Sequence, residues 1–85
     1  MSDAPVYWIE TAEEEIHFID AIVSAYDGLA TVRREFKIDE GATLFKVYVA
    51  VGMEDEFIQL LDRLRKRGAE IGRVIRGGEE DGPVP

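Results

Sequence analysis

The single histidine, His17, follows Glu13 by four residues and precedes Asp20 by three, so on a helix the three side chains lie near one another and could converge on a metal ion. A solvated helix face accounts for the same spacing, because charged residues one turn apart are common on exposed helices. Nucleophilic chemistry has less to draw on. The chain has no cysteine, which removes thiolate nucleophiles, thiolate metal sites and disulfides together. Ser2 and Ser24 are its only serines, one near the start and one on a helix surface, and neither assembles with a base and an orienting acid. The triplets Glu13-Glu14-Glu15 and Glu54-Asp55-Glu56 are carboxylate clusters of the kind used in acid–base catalysis, yet each opens a helix, where acids favour the positive end of the dipole. Gly41, Gly52, Gly68 and Gly77-Gly78 match no phosphate-cradling spacing and read as turns and caps. The reading is of a protein that is not an enzyme and that takes no metal or cofactor.

Tyr7 and Tyr48 are the remaining residues with binding chemistry, since two exposed tyrosines on neighbouring strands could stack on RNA bases. Charge speaks against that partner: 18 acidic residues against 10 basic give a net charge of −8, which repels a phosphate backbone. Tyrosine is also enriched at protein interfaces, so self-association is the stronger reading of the same pair.

These side chains must be placed by elements, and the element that organises the chain is Leu44 to Val51, eight residues with β-branched and aromatic side chains and no Gly or Pro. Such a run reads as a central strand. Phe45, Val47, Val49 and Val51 share its core face, and Leu44, Lys46, Tyr48 and Ala50 the other. Val6 to Ile9 reads as a first strand. Thr11 and Glu14 have the spacing of a capping box before a first helix, whose stripe of Ile16, Ile19, Ile22, Val23 and Tyr26 faces the sheet and which Asp27-Gly28 closes. Leu29 to Ile38 alternates as a second strand, and the short turn Asp39-Glu40-Gly41 makes it a hairpin with the central strand. A second helix buries Met53, Phe57, Leu60, Leu61 and Leu64 and ends at Gly68. Ala69 to Arg76 is a fourth strand of ambiguous facing, since Ile71 and Ile75 argue for one parity and Val74 with Gly72 for the other.

The order strand, helix, strand, strand, helix, strand contains an internal echo: Val6-Tyr7 aligns with Val47-Tyr48, Glu13 with Glu54, Ile16 with Phe57 and Ile19 with Leu60. Two βαβ units that cannot cover their own apolar faces interlock into one sheet with both helices on the same side, so an α+β, ferredoxin-like βαββαβ two-layer sandwich with a four-stranded antiparallel sheet is expected. Residues 1–5 are expected to be a flexible N-terminus, 6–76 the domain, and 77–85, with Glu79-Glu80-Asp81, a disordered acidic tail. The parities place Tyr7, Ile9, Thr31, Arg33, Glu35, Lys46 and Tyr48 on an open sheet face, with Ile71 or Arg73 joining from the fourth strand. That face, or the edge formed by the second strand, where Arg33 and Glu35 could set register, is the expected interaction surface.

The span Tyr7 to Arg76 resembles the ACT-like branch of ferredoxin-like domains, and more closely a small bacterial family of unknown function whose first helix ends in Tyr-Asp-Gly-Leu-Ala, here Tyr26-Asp27-Gly28-Leu29-Ala30. Similarity to ACT domains implies a regulatory module that pairs edge to edge and binds a small effector, such as an amino acid, at the interface. In those domains the loop after the first strand offers Gly or Asn to the ligand. Here the equivalent stretch, Ile9-Glu10-Thr11-Ala12-Glu13, has two acids and no glycine. The expectation is therefore a soluble cytoplasmic, homodimeric interaction module. An effector sensor using the turn Tyr26, Asp27 and Gly28 is the alternative, and contact with a protein partner or RNA is a further one. No apolar run is long enough to span a membrane.

Overall fold

The computed structural model describes residues 5–77, apart from the side chain of Arg34. The elements follow the order β1 (Val6–Thr11), α1 (Glu13–Ser24), β2 (Ala30–Asp39), β3 (Ala42–Val49), α2 (Glu54–Lys66) and β4 (Ile71–Gly77). The fold is mixed α+β, with two helices and one antiparallel sheet. The strand order is β2-β3-β1-β4, so β3 and β1 are central and β2 and β4 lie at the edges. β4 runs through Gly77, one residue beyond the expected boundary, and the remainder of the expected tail, 78–85, lies outside the described residues, as do residues 1–4.

One core joins the two helices to one side of the sheet. Ile16, Ile19 and Val23 of α1 and Phe57, Leu60, Leu61 and Leu64 of α2 belong to a single buried cluster with Tyr7, Ile9, Phe45, Val47 and Val49. That composition follows from the helical stripes, whose residues recur every three or four positions. Both helices open on three acids, and α2 closes on Arg63, Arg65 and Lys66, matching the dipole at its two ends.

The helix ends differ from one another. After α2 the Gly68 N–H donates to the Arg65 carbonyl and the Ala69 N–H to the Leu64 carbonyl, with Gly68 at φ +104°, a Schellman closure that a residue with a Cβ would strain. After α1 the helix stops at Ser24, and Gly28 instead occupies a separate turn closed by the Leu29 N–H on the Tyr26 carbonyl. The expected capping box is also absent: Ala12 is the N-cap, and the Thr11 hydroxyl donates to the Glu70 carbonyl at 2.7 Å, tying the end of β1 to the approach of β4. A long-range partner has displaced the local one.

Two irregularities shape the sheet. Opposite Lys46, β2 places three residues, Arg33, Arg34 and Glu35, between the pairs Val32–Val47 and Phe36–Phe45. Opposite Glu10, β4 places two, Gly72 and Arg73, between the pairs Ile9–Val74 and Thr11–Ile71. Each bulge bends its edge strand and re-aims a side chain.

Candidate functional site

The register decides what the helix-free face presents. Val6 pairs with Tyr48, Tyr7 with Val47, Trp8 with Lys46 and Ile9 with Phe45. Residues directly opposite share a face, so Tyr7 and Ile9 lie with Phe45 and Val47 in the core and are corrected from their expected place on the open face. The internal echo had aligned Tyr7 with Tyr48 along the chain, whereas the antiparallel pairing sets Tyr48 across from Val6. Ile71 likewise belongs to the core. The outer face carries Val6, Trp8, Leu44, Lys46 and Tyr48, with Thr31 opposite Tyr48, Lys37 opposite Leu44 and Ile75 opposite Trp8.

This face is a set of cations standing on aromatics. The Lys37 ammonium lies 4.5 Å from the centroid of the Trp8 ring, and Lys46 Nζ lies 5.0 Å from that of Tyr48 and 5.9 Å from that of Trp8. The Arg33 guanidinium, delivered by the β2 bulge, lies 5.6 Å from the Tyr48 centroid. Contacts of this type contribute about 0.5–1 kcal/mol when exposed and more when desolvated. Lys46 is buried and is paired with Glu35 at 3.2 Å. Tyr48 first, and then Glu35, hold its proton more firmly than in free lysine, against the opposing effect of burial. Trp8 is fully buried, and among the described residues its indole Nε1–H has no partner. Thr31, Arg33, Glu35, Lys46 and Tyr48 are thus brought together as expected, while the paired-tyrosine platform for RNA bases does not form, because Tyr7 faces the helices.

A second concavity opens on the other side of the sheet, between α1 and β2, with a volume of about 380 Å³. Ile16, Val32, Phe36 and Phe45 give it apolar lining, and Glu13, His17 and Asp20 give it charge. The three residues considered for a metal are all here, yet among the described residues no three His, Asp or Glu side chains are grouped as a metal would need. The groove and the half-exposed Phe36 were not anticipated from the sequence. Lengths held the signal: twelve residues of helix span about 18 Å and ten of strand about 33 Å, so α1 cannot cover all of β2.

The turn Tyr26, Asp27 and Gly28 lies elsewhere, between two surface hollows. One of about 370 Å³ is shared with Met53, Glu56 and Arg63 of the α2 region, and the other of about 360 Å³ with Thr31, Tyr48 and Ala50. Tyr26 is largely exposed. Among the described residues no helix is long and apolar enough to cross a membrane.

Comparison with known proteins gives one match. The family model described as Domain of unknown function (DUF4911) matches residues 9–67, which span β1 to the end of α2. No curated protein and no solved structure matches. The chain belongs to that family of unknown function.

Proposed function

We propose that this member of the family is a non-catalytic interaction module, ferredoxin-like and ACT-like in architecture, that self-associates through the free edge of β2. The order β2-β3-β1-β4 with all pairs antiparallel supports the architecture, because two interlocked βαβ units produce that order. The observation that carries self-association is the pair Phe36 and Ile38 on β2, 51% and 57% exposed. Two large apolar side chains side by side at a sheet edge are the usual mark of an interface, and an unpaired edge offers a row of backbone donors and acceptors to a second strand. Pairing two copies of β2 about a two-fold axis would extend both sheets into one and cover both apolar pairs. The stretch Phe36–Asp39, beyond the bulge, pairs with β3 in unbroken register and carries both apolar side chains.

The α1–β2 groove favours a second reading of the same edge. An amino-acid-like effector would find Glu13 and Asp20 for its ammonium group and Phe36 for its side chain, so a bound effector would sit beside the pairing strand. This moves the sensor alternative from the Tyr26-Asp27-Gly28 turn to the groove. The surplus of acids and the lack of cysteine suit a soluble, cytoplasmic setting for either role.

Light scattering across a range of protein concentrations tests the proposal. A dimer, dissociated by Phe36→Glu, is the expected result. A monomer at every concentration would remove self-association and leave the groove as the site to pursue, by titration with free amino acids.

A further inference from the structure

The two carboxylates that α1 contributes to the α1–β2 groove stand at opposite ends of an apolar strip. Glu13 and Asp20 are one heptad apart, so they leave the same side of the helix within about 20° of each other and are separated along its axis by about 10 Å. Ile16, buried, lies between them. Across the groove are Val32, Phe36 and Phe45, with Phe36 half exposed and its ring centroid 6.1 Å from that of Phe45. The hollow of about 380 Å³ is therefore apolar along its middle and negative towards both ends.

The sign and number of those charges define the ligand. Among the described residues neither acid is in an ion pair: Asp20 accepts only a 3.3 Å hydrogen bond from the Ser24 hydroxyl, and Glu13 has no side-chain partner. Arg33 lines the groove with part of its chain, but its guanidinium lies 5.6 Å from the Tyr48 centroid on the outer face. No described lysine or arginine head group is thus left in the groove to receive a carboxylate. A zwitterion would bring its carboxylate into a negative field, whereas a ligand with an ammonium group at each end would satisfy both acids through charge-assisted hydrogen bonds.

Length follows from the helix. Of the about 10 Å between the two positions, a hydrogen bond of about 2.8 Å at each end leaves about 5 Å between the two nitrogens, the reach of a chain of about four or five carbons. The methylenes of such a chain would cover the apolar middle of the groove and remove part of Phe36 from water.

We propose that the α1–β2 groove binds a short linear aliphatic diamine, with one ammonium group on Glu13, the other on Asp20, and the methylenes on Ile16, Phe36 and Phe45. The inference rests on reading the groove as a ligand site and changes the class of ligand from a zwitterion to a dication.

The test is a titration of the ¹⁵N-labelled full-length protein, followed by amide chemical shifts at constant ionic strength, with four compounds. These are 1,5-diaminopentane; pentylamine, which lacks one ammonium group; lysine, which is the diamine with a carboxylate added; and leucine. The diamine is expected to shift the amides of Glu13 to Asp20 and of Val32 and Phe36, and to bind about tenfold more tightly than pentylamine or lysine, the effect of one hydrogen bond to a charged group. Glu13→Gln and Asp20→Asn should each abolish the advantage over pentylamine, while Asp55→Asn, in the acidic triplet of α2, should keep it. Far-ultraviolet spectra matching the parent's check that the variants fold. Equal affinity for diamine and pentylamine, or shifts centred on Glu54-Asp55-Glu56, would overturn the proposal by showing a general attraction of cations to an acidic chain. Lysine or leucine binding in the groove more tightly than the diamine would overturn the dication and leave the groove a ligand site. No shift at the groove with any of the four would overturn both.

Discussion

The Tyr7 hydroxyl donates a 2.5 Å hydrogen bond to Glu54 Oε1, joining central strand β1 to the first turn of α2. Arg76 Nε donates to the same oxygen at 2.7 Å, so one carboxylate holds β1, β4 and α2 together. Tyr7 is an amphipathic side chain used at both ends: its ring packs on Phe57 with centroids 5.5 Å apart, and its hydroxyl reaches the rim of the core. Removing only the hydroxyl, in Tyr7→Phe, is expected to cost about 1 kcal/mol, the net worth of one hydrogen bond, with the fold retained. Urea unfolding of the two proteins measures it, and an unchanged midpoint would show that the bond contributes nothing.

The same cluster gives the stability a pH dependence. The hydrogen bond from Arg76, and then that from Tyr7, hold the Glu54 carboxyl below its usual range. A depressed folded pKa stabilises the protein above the unfolded value, so the contribution is complete above about 4.5 and is lost as the pH falls through the lower folded value. Burial, and then Glu54, push the Tyr7 hydroxyl above 10, so at the alkaline end stability falls as the pH rises past the unfolded value of 10 towards the folded one. Thermal melts should show both losses in the parent. Glu54→Gln should flatten the part of the acid limb that belongs to this cluster, and an acid limb identical to the parent's would exclude the carboxylate as its source.

How far the sequence specifies the faces depends on how many residues each bulge inserts. β2 inserts two extra residues opposite Lys46, an even number, so Ala30, Val32, Phe36 and Ile38 keep one face across the irregularity and their alternation is legible. β4 inserts one extra residue opposite Glu10, so Ile71 and Val74, which have opposite parity, both turn toward the helices. The two conflicting parities in that strand were each true of one half of it. β1 failed for another reason: Val6, Tyr7, Trp8 and Ile9 are all apolar or aromatic, all are buried, and no alternation marks a face. Only its pairing with β3 does. The helices were legible because each has one apolar stripe, whereas the outer-face cluster of cations and aromatics depends on a strand register that no local pattern records.

The β4 bulge is built around Gly72. A Cβ there would lie 2.7 Å from Glu10 Oε1. That carboxylate accepts from both the backbone N–H and Nε of Arg73 at 3.0 Å, while Arg73 also reaches Asp39 at 3.0 Å in the β2–β3 hairpin. The backbone N–H and then the side chain of Arg73 lower the pKa of Glu10. Gly72→Ala is expected to displace the flexible carboxylate rather than the backbone, releasing Glu10 while the sheet persists. A carbon-detected titration of the Glu10 carboxyl measures this directly. Its pKa should rise toward that of an unpaired glutamate in Gly72→Ala, and an unmoved value would place the carboxylate somewhere the methyl does not reach.

Neighbouring residues of α2 should differ sharply on truncation. Phe57 is fully buried against Tyr7, whereas Ile58, one residue on, is largely exposed. Phe57→Ala leaves a cavity in the core between helices and sheet and is expected to cost about 3–5 kcal/mol, a large share of a small domain's total stability. Ile58→Ala should fall within about 0.5 kcal/mol of the parent, as exposed substitutions do. Denaturant midpoints decide it, and a cost at position 58 comparable to that at 57 would mean that Ile58 is covered in solution, by a partner the single chain does not show.

The edge of β2 separates two ways a dimer could form. Ile38 stands opposite Thr43, near the hairpin end of the edge, and is the most exposed large apolar side chain on the strand. If two copies pair along Phe36–Asp39, a two-fold axis brings each Ile38 close to its counterpart or to Phe36, and Ile38→Lys would place like charges together in the interface. Light scattering should then show the variant as a monomer at concentrations where the parent is a dimer, with an unchanged melting temperature at high dilution, where both are monomers. If copies associate instead through the outer face, Ile38→Lys should leave the mass unchanged while Lys37→Glu lowers it, because Lys37 lies on that face above Trp8. The two substitutions sit on adjacent residues that point to opposite sides of one strand, so their contrast reads the surface used and not merely the strand's tolerance of change.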